Sequence, residues 1–207
     1  MIYSLPNDSW VAVHDIFDPL PSFMGRADVL FTDIPYNQAM LTNYSRREGV
    51  TISPNNPMKF DAFLQRFVQC VKQISPTHCF VETGKEALFP LHATLAHLFR
   101  GDTFYNSTYY HKQENKSYIL HFSNDPKRRR FKELEDLDEA DAIDWIARNV
   151  DYRCIGDLCM GRGLVGLSAY AAGKPFVGTE LNPRRLAVLL QRLAQQGASV
   201  HQYRPTV

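Results

Sequence analysis

Two apolar, β-branched runs near the start of the chain, WVAVHD (residues 10–15) and ADVLFTD (residues 27–33), each end in aspartate. A continuously apolar strand is buried on both faces, so it needs helices above and below it and suits a parallel sheet. Its terminal aspartate then stands at the carboxyl edge, where open α/β sheets gather their function. HCFVET (78–83), YRCIGD (152–157) and KPFVGTE (174–180) read as further strands. Between residues 60 and 74, Phe60, Phe63, Leu64, Phe67, Val68, Val71 and Ile74 recur at helical spacing, with Asp61 in the first turn to favour the dipole. Further helices are expected at 85–99, perturbed by Pro90, at 138–149 with an acid-rich first half, at 164–172, and at 183–196, opened by Asn182 and Pro183. TFYNSTYY and KSYILHF, separated by HKQEN, form a hairpin. The expected fold is α/β: seven strands in a mostly parallel sheet, one hairpin strand antiparallel near an edge, and helices on both faces.

At 207 residues the chain suits one domain with at most a small insertion. Residues 37–59 form a polar tract with Pro54, Pro57 and Asn55-Asn56, too long for a simple connector, and read as a mobile active-site loop. Residues 124–137 switch abruptly from basic to acidic and read as a short charged insertion. The formal charge of +1 excludes a grossly basic binder, so a nucleic-acid partner would have to meet a local patch. No secretory leader and no run of about 18 apolar residues is present, so a soluble, cytoplasmic protein without membrane contact is expected. Cys70, Cys79, Cys154 and Cys159 show no CxxC pairing and read as reduced structural cysteines, and no cysteine follows a proline. The seven histidines lack ligand spacing, so no metal is expected.

Two motifs carry chemistry. In DIPY, Asp33, Ile34, Pro35 and Tyr36 place a carboxylate, a backbone carbonyl and an aromatic ring together, a cradle for a planar amino group. More than a hundred residues later, DLCMGRG (157–163) follows a strand and opens a helix, with Gly161, Gly163 and Gly166 allowing tight turning and close approach of a ligand. The same glycines also suit a strand packed closely on its helix. Glu180 ends the next strand, about twenty residues on, where a carboxylate accepts both hydroxyl hydrogens of a ribose. Stabilisation of the following helix N-terminus is the other reading of Glu180.

These motifs resemble those of the class I S-adenosylmethionine-dependent amino-methyltransferases of DNA, in the circularly permuted order that puts the catalytic tetrapeptide first. DIPY resembles the family's D/N/S-P-P-Y/F, DLCMGRG its DPFxGxG, and FVGTELNP (176–183) its FxGxExxP. The opening VAVHDIF followed by ADVLFTDIPYN also resembles the family's start, and the likeness covers nearly the whole chain outside residues 38–59 and 124–137. The resemblance implies a Rossmann-like, circularly permuted sheet binding S-adenosylmethionine. Asp157, Gly161 and Gly163 would border the cofactor's methionine and ribose, Glu180 would hold its ribose, Asp15 would lie near its adenine, and Leu158, Cys159, Leu181 and Asn182 would also bind the cofactor. The helix at 138–149 would close over the methionine end. Permutation also places Met1 and Val207 on one side of the fold. Two departures stand out: Ile34 replaces the first proline, and Leu158-Cys159 with Arg162 alters the glycine loop.

By the same resemblance, Asp33 and the Ile34 carbonyl accept the amino hydrogens of a base while Tyr36 stacks on it, which requires a flipped or single-stranded base. A first-position aspartate favours adenine N6 over cytosine N4. The short 124–137 segment in place of a large recognition domain implies relaxed specificity, or specificity supplied by a homodimer or another partner. Lys127, Arg128, Arg129 and Arg130, together with Arg46, Arg47 and Tyr44, are the candidate DNA contacts. A solvated charge run, and local packing of Tyr44, remain their other readings. RNA or protein-glutamine methylation, or a silent cofactor- or DNA-binding module, are the alternative functions.

Overall fold

The structure, a computed structural model, describes residues 1–109, 112–127 and 130–203. Its framework is a parallel core of five strands: β2 (Ser9–Val13), β9 (Phe176–Glu180), β8 (Ile155–Asp157), β3 (Val29–Asp33) and β4 (His78–Thr83), side by side in that order. Beyond β4 the long antiparallel pair β6 (Lys112–Ser123) and β5 (Gly101–Tyr109) extends the sheet. These seven are the expected strands. Three more lengthen the sheet to ten among the described residues, correcting the expected seven: β1 (Ile2–Leu5) and β10 (His201–Tyr203) beside β2, and the two-residue β7 (Leu137–Asp138) beside β5. They are too short for periodicity to reveal them. The β1–β10 ladder pairs Ile2 with Tyr203, which brings the two ends of the described chain together; Val207 lies outside the described residues.

Side chains alternate between two buried layers, because successive residues of a strand point to opposite faces. Leu30, Ile34, Val81, Leu120 and Phe122 pack beneath α2 (Phe60–Ile74) and α3 (Lys85–Leu95). Phe31, Phe80, Tyr105, Ile119 and Ile155 pack beneath α4 (Glu139–Asn149), α5 (Leu164–Ala171) and α6 (Pro183–Gln195). α2 appears where its apolar spacing places it, α4 is capped by the Asp138 side chain accepting from Ala140 N, and α6 by Asn182 accepting from Arg184 N.

Several boundaries differ from expectation for identifiable reasons. YRCIGD contributes only Ile155–Asp157, because the amide N–H groups of Arg153 and Cys154 donate to the Asp28 carboxylate instead of a strand. The expected helix over 85–99 is α-helical only to Leu95, and a short 3-10 turn, Ala96–Leu98, finishes it. Most of the supposed hairpin loop HKQEN is strand, since β6 begins at Lys112. Residues 37–59 are not irregular throughout: α1 (Gln38–Ser45) starts there, with the Asn37 side chain accepting from Met40 N.

The register between β3 and β8 stops at Leu30–Gly156, short of their carboxyl ends, so the two strands part above that point. From β3 the chain passes through α2 to β4 on one side, and from β8 through α5 to β9 on the other, with the two helices on opposite faces. Such a reversal leaves a crevice outside the carboxyl ends of the strands.

Candidate active site

That crevice is a cavity of about 570 Å³, a size typical of small-molecule sites. Strand ends supply its floor: Asp15 after β2, Asp33 and Pro35 after β3, Asp157 to Arg162 after β8, and Glu180 to Asn182 after β9. Tyr44 and Arg47 from α1 and its end, Asp138 and Glu139 from the start of α4, and Arg185 and Arg192 from α6 form the walls. The two motifs, 124 residues apart in sequence, thus share one chamber.

The glycine loop is held from beneath. Thr32 Oγ1 and Cys159 N both donate to Asp157 Oδ1, at 2.8 and 2.9 Å, Thr179 Oγ1 donates to the Leu158 carbonyl, and Met160 N to the Thr179 carbonyl. Gly163 has φ +79°, and a Cβ there would lie 2.8 Å from Leu189, so a side chain is barred both by conformation and by the helix packed on it. Glu180 Oε2 accepts from Gly161 N at 2.7 Å and Oε1 from Asn182 N at 2.8 Å. One carboxylate thereby ties the loop to the start of α6 and faces the chamber.

The tetrapeptide splits between the two layers. Ile34 is 1% exposed and packs in the layer beneath α2 and α3, whereas Asp33 lines the cavity. Tyr36 lies against Gly84, the residue that caps α3; a Cβ on Gly84 would stand 2.7 Å from Tyr36 Cδ2. Asp15 lines the chamber too, but its carboxylate accepts from Phe17 N, Ser53 N and Asn56 Nδ2, strapping the segment after α1 to the sheet edge.

Electrostatics divide the cavity. Burial pushes the Asp157 carboxyl up to about 7, opposed by its two donors and reinforced by Asp33 and Glu180. Burial also raises Glu139 strongly, and Asp33, Asp157 and Asp138 raise it further. Behind them Glu82, register partner of Asp33, is fully buried; Ser117 Oγ donates to its Oε1 at 2.7 Å, and burial with Glu139, Asp33 and Asp138 holds it well above the usual carboxylate range. Glu180 is raised by burial as well, but Arg185 and Arg47 lie close enough to pull it down. Their guanidinium groups flank the Tyr44 ring at 4.7 and 4.8 Å from its centroid. Asp33, Asp138, Glu139 and Asp157 thus stand together in the lining, and Arg47 and Arg185 gather about Tyr44 and Glu180.

Glu82, Glu139, Thr32, Gly84 and Arg185 were not singled out from sequence. Glu82 carried a signal, since HCFVET ends an apolar strand near an acid as ADVLFTD does. No cluster of histidine, cysteine and carboxylate with metal-holding geometry occurs among the described residues.

No protein-family model matches the chain, and no curated protein matches it in sequence. Solved structures do match in fold. The PvuII DNA methyltransferase, cytosine-N4-specific, superposes with a TM-score of 0.63 at 12% identity, covering 91% of this chain and 87% of that one. M1.HpyAVI gives 0.59 at 13% identity, covering 89% and 98%, and TTHA0409 of Thermus thermophilus, a proposed DNA modification methylase, gives 0.58 at 14%, covering 90% and 94%. The fold is that of the class I methyltransferases. M1.HpyAVI and TTHA0409 have both been crystallised with S-adenosylmethionine.

Within this methyltransferase fold the expected DNA contacts separate. Arg46 and Arg47 are exposed beyond α1, and Arg47 and the half-buried Tyr44 line the mouth of the chamber. Tyr44 packs between Arg47 and Arg185. Lys127 follows the end of β6, where Ser123 pairs with His78 at the amino edge of β4, the edge away from Asp33 by roughly 13 Å of strand. Arg130 pairs with Glu135 at 3.1 Å and lies over Tyr105. Arg128 and Arg129 lie outside the described residues. Arg162, between the two loop glycines, is exposed at the cavity. No helix among the described residues is long and apolar enough to cross a membrane.

Proposed function

We propose that this chain is an S-adenosylmethionine-dependent DNA methyltransferase acting on an exocyclic amino group, with adenine N6 the preferred target. The observation that carries the reading is the chamber into which Asp33 and Pro35 enter from one motif and Gly161 from the other, with Glu180 from the end of the next strand. The chamber suits the cofactor: Glu180 faces it as a diol acceptor near the Gly161 backbone, and the acidic end suits a ligand with positive charge. Leu158, Cys159, Leu181 and Asn182 would border it, and the start of α4 would cover its methionine end. When bound, S-adenosylmethionine supplies an electrophilic methyl group on a sulfonium leaving group.

The chain's part is positioning. An exocyclic amino nitrogen has its lone pair drawn into the ring. Asp33 carboxylate and the Ile34 carbonyl, accepting its hydrogens, turn the lone pair outward, and Tyr36, backed by Gly84, offers a face for the base. A base paired in a duplex cannot enter such a chamber, so it is flipped or single-stranded. Arg47 and Arg162 at the mouth, with the exposed Arg46 next to Arg47 in sequence, are better placed than Lys127 to meet the phosphates flanking that base. The order of strands along the chain, β2, β3 and β4 before β8 and β9, suits the permuted arrangement. Cytosine N4 is the second reading, favoured by the match to the PvuII enzyme.

Incubation with methyl-labelled S-adenosylmethionine and DNA, RNA or protein, followed by digestion and mass spectrometry, tests this. Label is expected as N6-methyladenine in DNA and is expected to vanish in Asp33→Ala. Undiminished label in that variant overturns the catalytic assignment, and label confined to RNA or protein overturns the substrate.

A further inference from the structure

Helix α6 carries Arg184, Arg185 and Arg192 and no acidic residue, and α5 beside it carries no charged residue at all. Arg185 and Arg192 both line the chamber, together with Arg162 of the glycine loop. Seven residues apart, the two helical arginines stand on one face of α6, two turns and about 10 Å from each other along its axis. Arg185 is fixed where the helix meets the chamber. Its guanidinium lies 4.7 Å from the Tyr44 centroid, and a Cβ on Gly161, the residue before Arg162, would stand 3.7 Å from its Nη1.

The stability of the fold does not account for these cations. The first turn of α6 holds no acid, and an arginine there opposes the helix macrodipole. Arg184 is matched by Glu48, but neither Arg162 nor Arg192 forms an ion pair with a described residue. Both are exposed. The carboxyls that share the chamber lie deeper: Asp138 and Asp157 are buried, Asp33 and Glu139 half-buried, and the buried Glu180 accepts from Gly161 N and Asn182 N. A molecule arriving from solvent on the α6 side therefore meets guanidinium groups first. Like charges spaced along one face repel one another, and a polyanion of matching spacing turns that repulsion into attraction. The stretch of about 10 Å corresponds to three steps of a duplex strand at roughly 3.4 Å each.

We propose that Arg162, Arg185 and Arg192 form a phosphate track, along which the backbone of the DNA strand runs from the chamber mouth, over the glycine loop and down the exposed face of α6. The proposal rests on the DNA reading above and extends it: Arg47 and Arg162 meet the phosphates next to the target base, and α6 holds the strand beyond them. Arginine suits the task because its planar fork pairs with two phosphate oxygens at once. Such contacts carry no base information, so the track supplies affinity and register without sequence preference.

Fluorescence anisotropy of the full chain with a short labelled oligonucleotide, single-stranded or duplex, titrated over a range of salt, tests this. Arg162→Gln with Arg192→Gln is expected to weaken DNA binding about tenfold near 0.1 M salt. The slope of log affinity against log salt should become shallower by about 0.7–0.9 for each arginine removed. Arg192→Gln alone should leave the S-adenosylmethionine dissociation constant within about twofold, which separates lost phosphate contact from a disturbed fold. Arg148→Gln, which removes the same charge from the last turn of α4, should leave DNA affinity within about twofold. Unaltered affinity and salt slope in the double variant overturn the track and leave the methyl-transfer reading intact. A loss in Arg148→Gln equal to that in Arg192→Gln also overturns it, since net charge would then suffice. If the unaltered protein binds no DNA and labels none, both readings fall.

Discussion

Gly84→Ala tests the proposed stacking role of Tyr36 apart from the cofactor end of the chamber. The added Cβ would meet Tyr36 at 2.7 Å from Cδ2, 3.0 Å from Cγ and 3.2 Å from Cβ. Ordinary contact begins near 3.4 Å, so the ring must retreat by about 0.7 Å or tilt. Backbone strain plays no part, because Gly84 has φ −82°, which alanine adopts freely. The overpacking should lower stability by about 1–3 kcal/mol, with a further fraction from exchanging glycine for alanine at a helix N-cap. Misplacement of a substrate-positioning group by about 1 Å costs on the order of a hundredfold in rate, so kcat for DNA methylation should fall roughly ten- to hundredfold. The glycine loop and Glu180 are untouched, so the dissociation constant for S-adenosylmethionine should stay within about twofold. Single-turnover methylation and cofactor titration on the folded variant, with folding checked by circular dichroism, separate the two effects. A folded Gly84→Ala protein with unaltered kcat would refute the role given to Tyr36.

Two further outcomes follow from the acidic end. Thr32→Val removes the buried hydroxyl that donates to Asp157 at 2.8 Å, and should destabilise the protein by about 1–3 kcal/mol in urea unfolding, more at pH 8 than at pH 5. An equal loss at both pH values would show that the hydroxyl does not serve the charged carboxylate. The free protein should also lose stability as pH rises. Asp157 titrates at about 7 when folded against about 3.8 unfolded, so between those values the folded state holds a proton the unfolded state has lost. Its contribution is fully present below pH 4, declines towards pH 7 and is lost above it, in the same direction as that of Glu139 and Glu82. The melting temperature should therefore fall between pH 5 and 8, and saturating S-adenosylmethionine should shrink that fall. A rise in melting temperature over this range would contradict the burial of these acids.

How much was legible depended on how far each residue's role is set by its neighbours in sequence. Asp33, Asp157 and Glu180 stood at the ends of apolar strands, and parallel packing alone puts such ends at one edge. Asp15 was placed at that edge by the same logic, yet its carboxylate is taken by Ser53 and Asn56, partners about forty residues on that no local pattern announces. Glu82 shows the reverse: its strand was read, but its significance comes from Asp33 across the ladder and Ser117 on β6. Gly84 is mute alone, because its need to be glycine arises from the Tyr36 ring. α1 had its cap in plain view at Asn37, but a polar helix lying over a cavity mouth has little apolar spacing to reveal it. The run at 127–130 looked like a phosphate site by charge; charge alone says nothing of where it stands, and an antiparallel β6 carries the chain towards the edge away from Asp33 before Lys127.

The same dependence on direction resolves the oddest residue of the tetrapeptide. A proline at position 34 would restrict the backbone, and isoleucine abandons that restriction. The alternation along β3 continues through the motif: Leu30 and Ile34 enter the layer under α2 and α3, while Phe31 and Asp33 belong to the other face. Ile34 therefore replaces covalent stiffness with burial, being 1% exposed in a packed layer alongside Leu30 and Val81. Its backbone carbonyl, the group the proposed mechanism uses, is the same in either residue. Ring closure and close packing both remove motion from the chain, one by geometry and one by contact. What holds the Asp33 end of the cradle is thus the apolar layer on the opposite side of the sheet.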